Sequence, residues 1–450
     1  MKNPSLSRVL PLRTAVSTSA GLASAAINFL AAVEVAQYAG GQSAWLAILV
    51  AGILIVLAGT NFAELNGLFP SAAAIRVWIR RGLNDQVSLV ASMVYVTTVI
   101  LVIAADAFVL GHMFQAAIPA IPGEIWILLI LLVITGLNLR GIRVAGIIQD
   151  VNAFVLLTTL TVFSLIVIGR QGLPPVPQLF HTGPHWLEAV ALGVFIYVGF
   201  EWVTPLSEEF QDFRAIPRGL FIALGLIAVA FGLFTLAFTV IFPHPRTTTL
   251  IPQLLLGMKA LGPLGFWWMA LVTLTTAMTT FNGGLLTASR FVYALARERV
   301  LPAWFNRLNQ RWVPHHALWT LAASALGLAF LVYVSGQYVV LINAGAGVES
   351  LMYALTSYLV LRLRRIDPDR ERVYRVPGVP IVPVIGGLLF LALGIGALLT
   401  PATPHGVVPW SLVYVVTVTL LVAGYVRYGV PKIKAARSRA MTARQEPWGK

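Results

Sequence analysis

The chain has 450 residues, of which 58% are hydrophobic and 11% charged, whereas a soluble protein carries roughly 25% charged residues. Its apolar residues form runs long enough to cross a bilayer, which takes about 20 residues each, so the composition indicates a polytopic membrane protein. The absence of cysteine excludes disulfides and thiol chemistry.

Twelve apolar runs predict twelve membrane-spanning helices and an all-α fold. Spans 1 to 5 (14–169) and spans 6 to 10 (186–361) are predicted to be inverted repeats, because spans 1 and 6 begin on opposite sides of the membrane. Spans 11 and 12 follow over 381–428, and a basic tail occupies 429–450. Together they make one integral membrane domain. In chain order the predicted spans are 14–37, 45–69, 87–114, 124–139, 143–169, 186–207, 219–242, 263–296, 317–335, 338–361, 381–400 and 409–428.

The basic residues are distributed unequally between the two sides of the membrane. When the N-terminus is assigned to the cytoplasm, the opposite side holds only three of the 31 Lys and Arg residues, namely Arg170, Arg246 and Lys259. This asymmetry follows the positive-inside rule and predicts an inner (cytoplasmic) membrane protein with both termini in the cytoplasm. A basic cytoplasmic face also suits the anionic lipids of the bilayer, so nucleic acid is not needed to explain the net charge of +14.

Several function classes lack the residues that they need. No G-x-x-x-x-G-K-[ST] loop occurs, which argues against ATP-driven pumping within this chain. The histidines lie at span ends or in loops, without an intramembrane cluster of histidines and carboxylates, which argues against a metal-dependent membrane enzyme. We therefore predict a protein without catalytic residues, bound metal or cofactor.

Spans 1 and 6 both contain small residues near their middle, in AGLASAAIN (20–28) and YVGFE (197–201). Paired interruptions in matching positions indicate a binding site at the membrane midplane, although small residues also serve plain helix packing. A break in span 6 would expose carbonyls that can accept from an ammonium group. A break in span 1 would expose N–H groups that favour a carboxylate. The predicted ligand of both breaks is a zwitterionic amino acid.

An acidic residue within a span costs about 2.5–3.5 kcal/mol at a helix centre, and the predicted spans include Glu34, Glu64, Asp106, Glu201 and Glu349. We expect Glu34 and Asp106 at the outer, solvated ends of spans 1 and 3. Glu64, toward the inner end of span 2, is expected to have a structural partner, whereas the surroundings of Glu349 are ambiguous. For Glu201 three roles stay open: a hydrogen-bonded latch between helices, a proton site, or a contact for a cationic substrate.

Four segments resemble the amino acid–polyamine–organocation (APC) superfamily. They are 57–79, 195–220, 281–305 and 374–386, with the Gly-Phe-Glu core at 199–201. The resemblance implies a LeuT-type fold, in which helices 1 and 6 are discontinuous within a 5+5 inverted repeat and two further helices follow. It also implies a secondary transporter, an antiporter or a symporter, that moves amino acids by alternating access of spans 1, 2, 6 and 7 against spans 3, 4, 8 and 9.

The resemblance also implies a substrate site. The substrate ammonium would meet the carbonyls of Phe195, Ile196 and Val198, with Phe195 as an aromatic gate and Trp202 as a pocket wall. The substrate carboxylate would meet the break in span 1. The implied substrate-binding residues are Ser24, Ala25, Ala26, Ile27, Asn28, Phe195, Ile196, Val198, Gly199 and Trp202.

Two departures from the family pattern keep alternatives open. The segment 24–26 is Ser-Ala-Ala where the family often has a glycine-rich turn, and alanine tolerates unwinding less readily. A polyamine or amine carrier of the same fold is therefore an alternative, as is a transporter-like nutrient sensor. Gly283 and Gly284 offer no side-chain oxygens where sodium-coupled relatives have hydroxyls. Uncoupled exchange and proton coupling through Glu201 both stay open, with H⁺ favoured over Na⁺ as the coupling ion. A monomer and a homodimer are both compatible with the sequence.

Overall fold

The computed structural model describes residues 6, 8–245, 249–401 and 406–436. Arg246 and residues 437–450 of the predicted basic tail lie outside this part. Within it the regular secondary structure is helical, apart from one isolated bridge between Leu10 and Phe210. The predicted all-α class is therefore confirmed.

Fifteen α-helices account for most of the described chain. Short 3₁₀ segments cover Phe200–Leu206 and Ala303–Asn306, and a π-helical turn covers Tyr425–Gly429. The α-helices are α1 (Leu12–Ala23), α2 (Asn28–Ala39), α3 (Ala44–Leu68), α4 (Ile75–Gly82), α5 (Asp85–Ala117), α6 (Gly123–Asn138), α7 (Ile142–Gln171), α8 (Val176–Phe180), α9 (Trp186–Phe195), α10 (Ala215–Ile241), α11 (Pro252–Arg297), α12 (His315–Ser335), α13 (Tyr338–Ile366), α14 (Ile381–Leu399) and α15 (Trp410–Gly424).

By length and composition, ten helices of the described chain can cross a membrane, or eleven when the bent pair α1 and α2 counts as one span. The predicted span 124–139 corresponds to α6, which has 16 residues. At 1.5 Å per residue α6 is about 24 Å long, whereas the hydrocarbon core of a bilayer is about 30 Å thick. The multi-pass character is established, and α6 falls short of a full span.

Helix boundaries follow local sequence signals. The side chain of Asn84 accepts a hydrogen bond from the Val87 N–H at the start of α5, which satisfies one of the free donors of the first turn. The helix α2 ends at Gly40, whose φ of 82° is the left-handed conformation typical of a helix C-terminus. These signals delimit helices, whereas packing decides how they are arranged.

Both described ends of the chain lie on the same face of the molecule. The N–H of Leu10 donates to the carbonyl of Glu209, and the carboxylate of Glu209 pairs with Arg290 of α11. Just beyond α11, the carbonyl of Val300 accepts a hydrogen bond from the hydroxyl of Tyr425, at the end of α15. We call this the terminal face, and α2 runs from the break in span 1 toward the opposite face.

Candidate functional site

The first span is broken where the small residues occur. The helix α1 ends at Ala23 and α2 begins at Asn28, with a bend of 62° between them. The Asn28 amide nitrogen donates to the carbonyl of Ala23 at 2.6 Å and to the carbonyl of Ile196 at 2.9 Å. One side chain therefore caps the end of α1 and joins the two broken spans.

The sixth span is broken at Gly199. The helix α9 ends at Phe195, and a 3₁₀ segment begins at Phe200. Gly199 between them has φ 102°, a conformation that disfavours residues with a Cβ. A Cβ at this position would also lie 3.1 Å from Leu22 Cδ2. The glycine thus permits both the backbone reversal and the close approach of the two breaks.

Two of the three carbonyls that were predicted to meet the substrate ammonium already accept hydrogen bonds in this conformation. The carbonyl of Phe195 accepts from the N–H of Val198 at 3.2 Å, and that of Ile196 accepts from Asn28. The prediction that these carbonyls are free is wrong, because buried carbonyl groups find donors. One donor is the N–H of the residue three positions further along the chain, and the other is the Asn28 side chain at the break in span 1.

A cavity of about 140 Å³ lies between the two breaks, α5 and the start of α13. Of the predicted site residues, Ala25, Ile27, Asn28, Phe195 and Val198 line it. Ser24, Ala26, Ile196, Gly199 and Trp202 are buried behind this lining. The other lining residues are Leu22, Ala23, Leu30, Ala31, Glu34, Val102, Ala105, Tyr338, Val339, Leu341, Ile342, Asn343 and Ala346.

The charge of this lining is acidic. Glu34 is its single charged side chain within the described chain, and Asn28, Tyr338 and Asn343 are its polar residues. Glu34 is partly exposed, in agreement with the expected solvated position in span 1. The cavity therefore offers a carboxylate and neutral polar groups to a ligand.

Trp202 lies away from the cavity that it was predicted to line. It is fully buried, and its ring stacks on Tyr95 with centroids 4.3 Å apart. Its indole Nε1 donates to Glu349 Oε1 at 2.8 Å. The 3₁₀ turn directs Trp202 toward α5 and α13, so its side chain packs on the side of the break that faces away from the cavity.

Glu201 is fully buried between three spans. The hydroxyl of Tyr95, on α5, donates to Glu201 Oε1 at 2.8 Å, and the hydroxyl of Tyr353, on α13, donates to Glu201 Oε2 at 2.6 Å. The tyrosine hydroxyl on α13 also accepts the N–H of Gly199 at 3.3 Å. These hydrogen bonds join the broken span to α5 and α13.

Glu349 is the site residue that sequence reasoning left undecided. It is buried on α13, and its Oε1 accepts from the hydroxyl of Thr98 at 2.5 Å and from Trp202. Trp202, which donates to Glu349, stacks on Tyr95, the donor to Glu201 Oε1. The sequence feature that could have identified Glu349 is its position four residues before Tyr353, which places both side chains on one face of a helix.

Asp106 occupies a position that the sequence did not predict. It was expected at the solvated end of span 3, yet it is fully buried, and its Oδ1 accepts the N–H of Ile27 at 3.1 Å. Within the described part of the chain its Oδ2 meets no hydrogen-bond donor. The expectation is wrong because α5 has 33 residues, so position along it does not give depth. A carboxylate of the protein thus lies at the start of α2, where a substrate carboxylate was expected.

On the terminal face the two breaks are closed by ion pairs. Arg290 and Glu209 are both buried and lie 3.0 Å apart, and Arg297 lies 2.6 Å from Glu208. Burial raises the pKa of Glu208, but hydrogen bonds from Arg297 and from the Ala72 N–H outweigh it, so that the pKa lies below its ordinary value of 4.5. Charge pairs therefore seal this face, while the cavity lies on the other side of the breaks.

Glu64 has the structural partners that were expected of it. Arg364 approaches it at 2.6 Å and Arg372 at 3.1 Å, and the N–H of Val376 donates to its Oε2 at 2.6 Å. These contacts tie α3 to the end of α13 and to the loop that follows. Glu64 therefore has a structural role, away from the cavity.

Comparisons with known proteins agree with this architecture. Residues 15–432 match the family model described as amino acid permease. The chain is 23% identical to the methylthioribose transporter of Bacillus subtilis, over 85% of this chain and 87% of that protein. It is 24% identical to the gamma-aminobutyric acid permease of Escherichia coli (77% and 78% covered) and 27% identical to a branched-chain amino acid permease of Lactococcus lactis (60% of each). The chain belongs to the amino acid permease family.

Proposed function

We propose that this protein is a secondary active transporter that moves amino acids across the cytoplasmic (inner) membrane by alternating access. The observation that carries the proposal is the cavity lined by both broken spans, since paired broken helices form the substrate sites of such transporters. Ala25, Ile27, Asn28 and Val198 contact the substrate, and Phe195 closes over it as the gate.

The proposed architecture is the LeuT-type arrangement of twelve spans. Its inverted repeats are 14–169 and 186–361, each with its broken helix first, and α6 is the twelfth span. A short span of this kind is accommodated by local thinning of the bilayer. Both termini lie in the cytoplasm, because the terminal face carries the basic loops. The protein works as a monomer or a homodimer.

The conformation represents one half of the transport cycle. Ion pairs close the terminal face, and the cavity lies toward the opposite face. In the other half, spans 1, 2, 6 and 7 move against spans 3, 4, 8 and 9, and the pairs Glu209–Arg290 and Glu208–Arg297 separate. The substrate then leaves on the cytoplasmic side.

Counterflow in proteoliposomes tests this proposal. Radiolabelled leucine, gamma-aminobutyric acid and putrescine are each offered to vesicles preloaded with the same unlabelled compound. We expect exchange of at least one amino acid, at a rate that Phe195→Ala changes and Glu188→Gln, at an exposed position, does not. Binding without exchange would indicate a nutrient sensor and contradict transport.

An amine or polyamine carrier is a second candidate, and Asp106 favours it. This carboxylate accepts the N–H of Ile27 and so fills the place of a substrate carboxylate, while Glu34 adds a negative charge to the cavity wall. Both features suit a cationic amine. If putrescine stabilises the protein against heat and neither amino acid does, the amino acid proposal is wrong.

The proposed coupling ion is H⁺ rather than Na⁺. Both glycines lie at close helix contacts: a Cβ at Gly284 would lie 2.9 Å from a valine methyl of α5, and a Cβ at Gly283 would lie 3.2 Å from Gln149 Nε2 of α7. The hydroxyls of Thr279 and Thr280 already donate to the carbonyl of Thr276. Thermal stabilisation by the ligand should therefore depend on pH and be unaffected by sodium. Sodium-dependent stabilisation would contradict this choice.

A further inference from the structure

We propose that Glu201 and Glu349 form one carboxyl pair that holds a single shared proton, located on Glu349 Oε2, and that this proton is the one coupled to transport. The inference rests on the proposed transport function and identifies its proton site. It assigns a role to Glu349, which the latch around Glu201 does not need.

The first observation is the position of the two acids. Both carboxyl groups are buried, and they share neighbours: Trp202 donates to Glu349 and stacks on Tyr95, which donates to Glu201. They come from different spans, Glu201 from the 3₁₀ segment after Gly199 and Glu349 from the middle of α13. Two buried carboxylates set among the same side chains repel each other strongly, because their charges are barely screened there.

The second observation is the chemistry of the groups that face the pair. Tyr95 and Thr98 contribute from α5, Tyr353 from α13, and Trp202 from the 3₁₀ segment. All four are neutral donors. Within the described residues, neither Arg nor Lys forms an ion pair with either acid, in contrast to the acids of the terminal face. One shared proton therefore lowers the charge of the pair from two negative charges to one without a cationic side chain.

The third observation is the number of donors at each oxygen. The two oxygens of Glu201 each accept from one tyrosine, and Oε1 of Glu349 accepts from Thr98 and Trp202. Among the described residues, Oε2 of Glu349 receives no hydrogen bond. A proton on this oxygen makes it a donor toward Glu201, which satisfies the pair and removes the repulsion.

The pair is connected directly to the break in span 6. Tyr353 accepts the N–H of Gly199 and donates to Glu201, and Trp202 lies three residues after the left-handed glycine. A change in the break during transport therefore alters the donors around both acids. Loss of the proton leaves two negative charges that only separation of the spans can relieve, which links protonation to conformation.

Infrared spectroscopy of the purified full chain without substrate tests whether the proton is present. We expect the carbonyl-stretch band of a protonated carboxyl group at about pH 7 in the wild type. Glu349→Gln should remove it, because an amide then replaces the carboxyl group that carries the proton. Glu188→Gln is the matched surface control, and Asp106→Asn identifies any share from that acid. The absence of a band in the wild type, or a full band in Glu349→Gln, would overturn the proposal.

Uptake driven by a pH gradient tests the coupling. A transporter that carries one proton with a neutral substrate accumulates it about tenfold for a gradient of one pH unit. For the probe among leucine, gamma-aminobutyric acid and putrescine that shows counterflow, Glu349→Gln should accumulate equally with and without the gradient. Gradient-driven accumulation by this variant at the wild-type level would refute the coupling role. A wild type that exchanges none of the three probes contradicts the proposed function, whereas the infrared result stands on its own.

Discussion

The buried acids of the terminal face and those of the middle of the membrane are neutralised differently. Glu64 is held by two arginines and Glu209 by one. Glu201 and Glu349 are held by hydroxyl and indole donors, and Asp106 by a backbone N–H. All five are nearly inaccessible to solvent.

The difference separates fixed charge from exchangeable charge. A buried carboxylate with a guanidinium partner has its charge compensated, and removal of either charge leaves the other without compensation. A buried carboxylate among neutral donors can bind a proton or a cationic group and become neutral without leaving such a charge behind. The acids of the terminal face therefore have cationic partners, whereas those in the middle of the membrane have only neutral donors among the described residues.

The largest effect is expected for Arg290→Met. It leaves Glu209 buried without its partner, which costs about 3–5 kcal/mol of stability. Chemical or thermal unfolding in detergent measures this loss, and the double variant with Glu209→Met should recover most of it. A single variant as stable as the wild type would show that this pair is not a fixed ion pair.

A smaller loss is expected for Arg364→Met. Glu64 would keep Arg372 and the N–H of Val376, so that the cost is one charged hydrogen-bonding partner, about 1.5–3 kcal/mol. The same unfolding measurement applies. A loss of stability as large as that of Arg290→Met would show that Arg372 does not compensate for the missing Arg364.

Asp106→Asn should change stability by less than about 1 kcal/mol, because the amide oxygen still accepts from Ile27 and no cation loses its partner. Its effect should fall on ligand choice. Thermal shifts with putrescine should decrease and those with leucine should not. Destabilisation comparable to that of Arg290→Met would place Asp106 among the fixed charges.

The smallest effect is expected for Glu208→Gln, since this pair is half-exposed and worth about 0–1 kcal/mol. The pKa of Glu208 lies below 4.5 in the folded protein. Its contribution to stability is therefore complete above pH 4.5 and is lost as the pH falls through the lower value. Wild type and variant should show the same pH dependence of stability between about pH 5 and pH 8. Divergence within that range would contradict this assignment.

Local sequence signals predicted the broken spans because their causes are local. Gly199 supplies a backbone conformation that other residues resist, and the small residues of 20–28 permit an interruption. The sequence did not identify the arginine partners of Glu64, but an acidic residue at the inner end of a span is expected to have a structural partner. In contrast, the carbonyl of Ile196 finds its donor on Asn28, 168 residues away in sequence, and no local pattern encodes that contact.

Composition and periodicity by themselves determined that this chain is a helical membrane protein with two interrupted spans, since burial of apolar runs and satisfaction of backbone groups depend on neighbouring residues. Which acids meet which donors was decided only by the tertiary structure. The tilt and packing of α5 and α13 bring Asp106 to the start of α2 and Glu349 to Trp202. The depth of a side chain in a helix bundle and the direction in which it faces depend on how the helices pack. The position of a residue along its helix therefore determines neither of them.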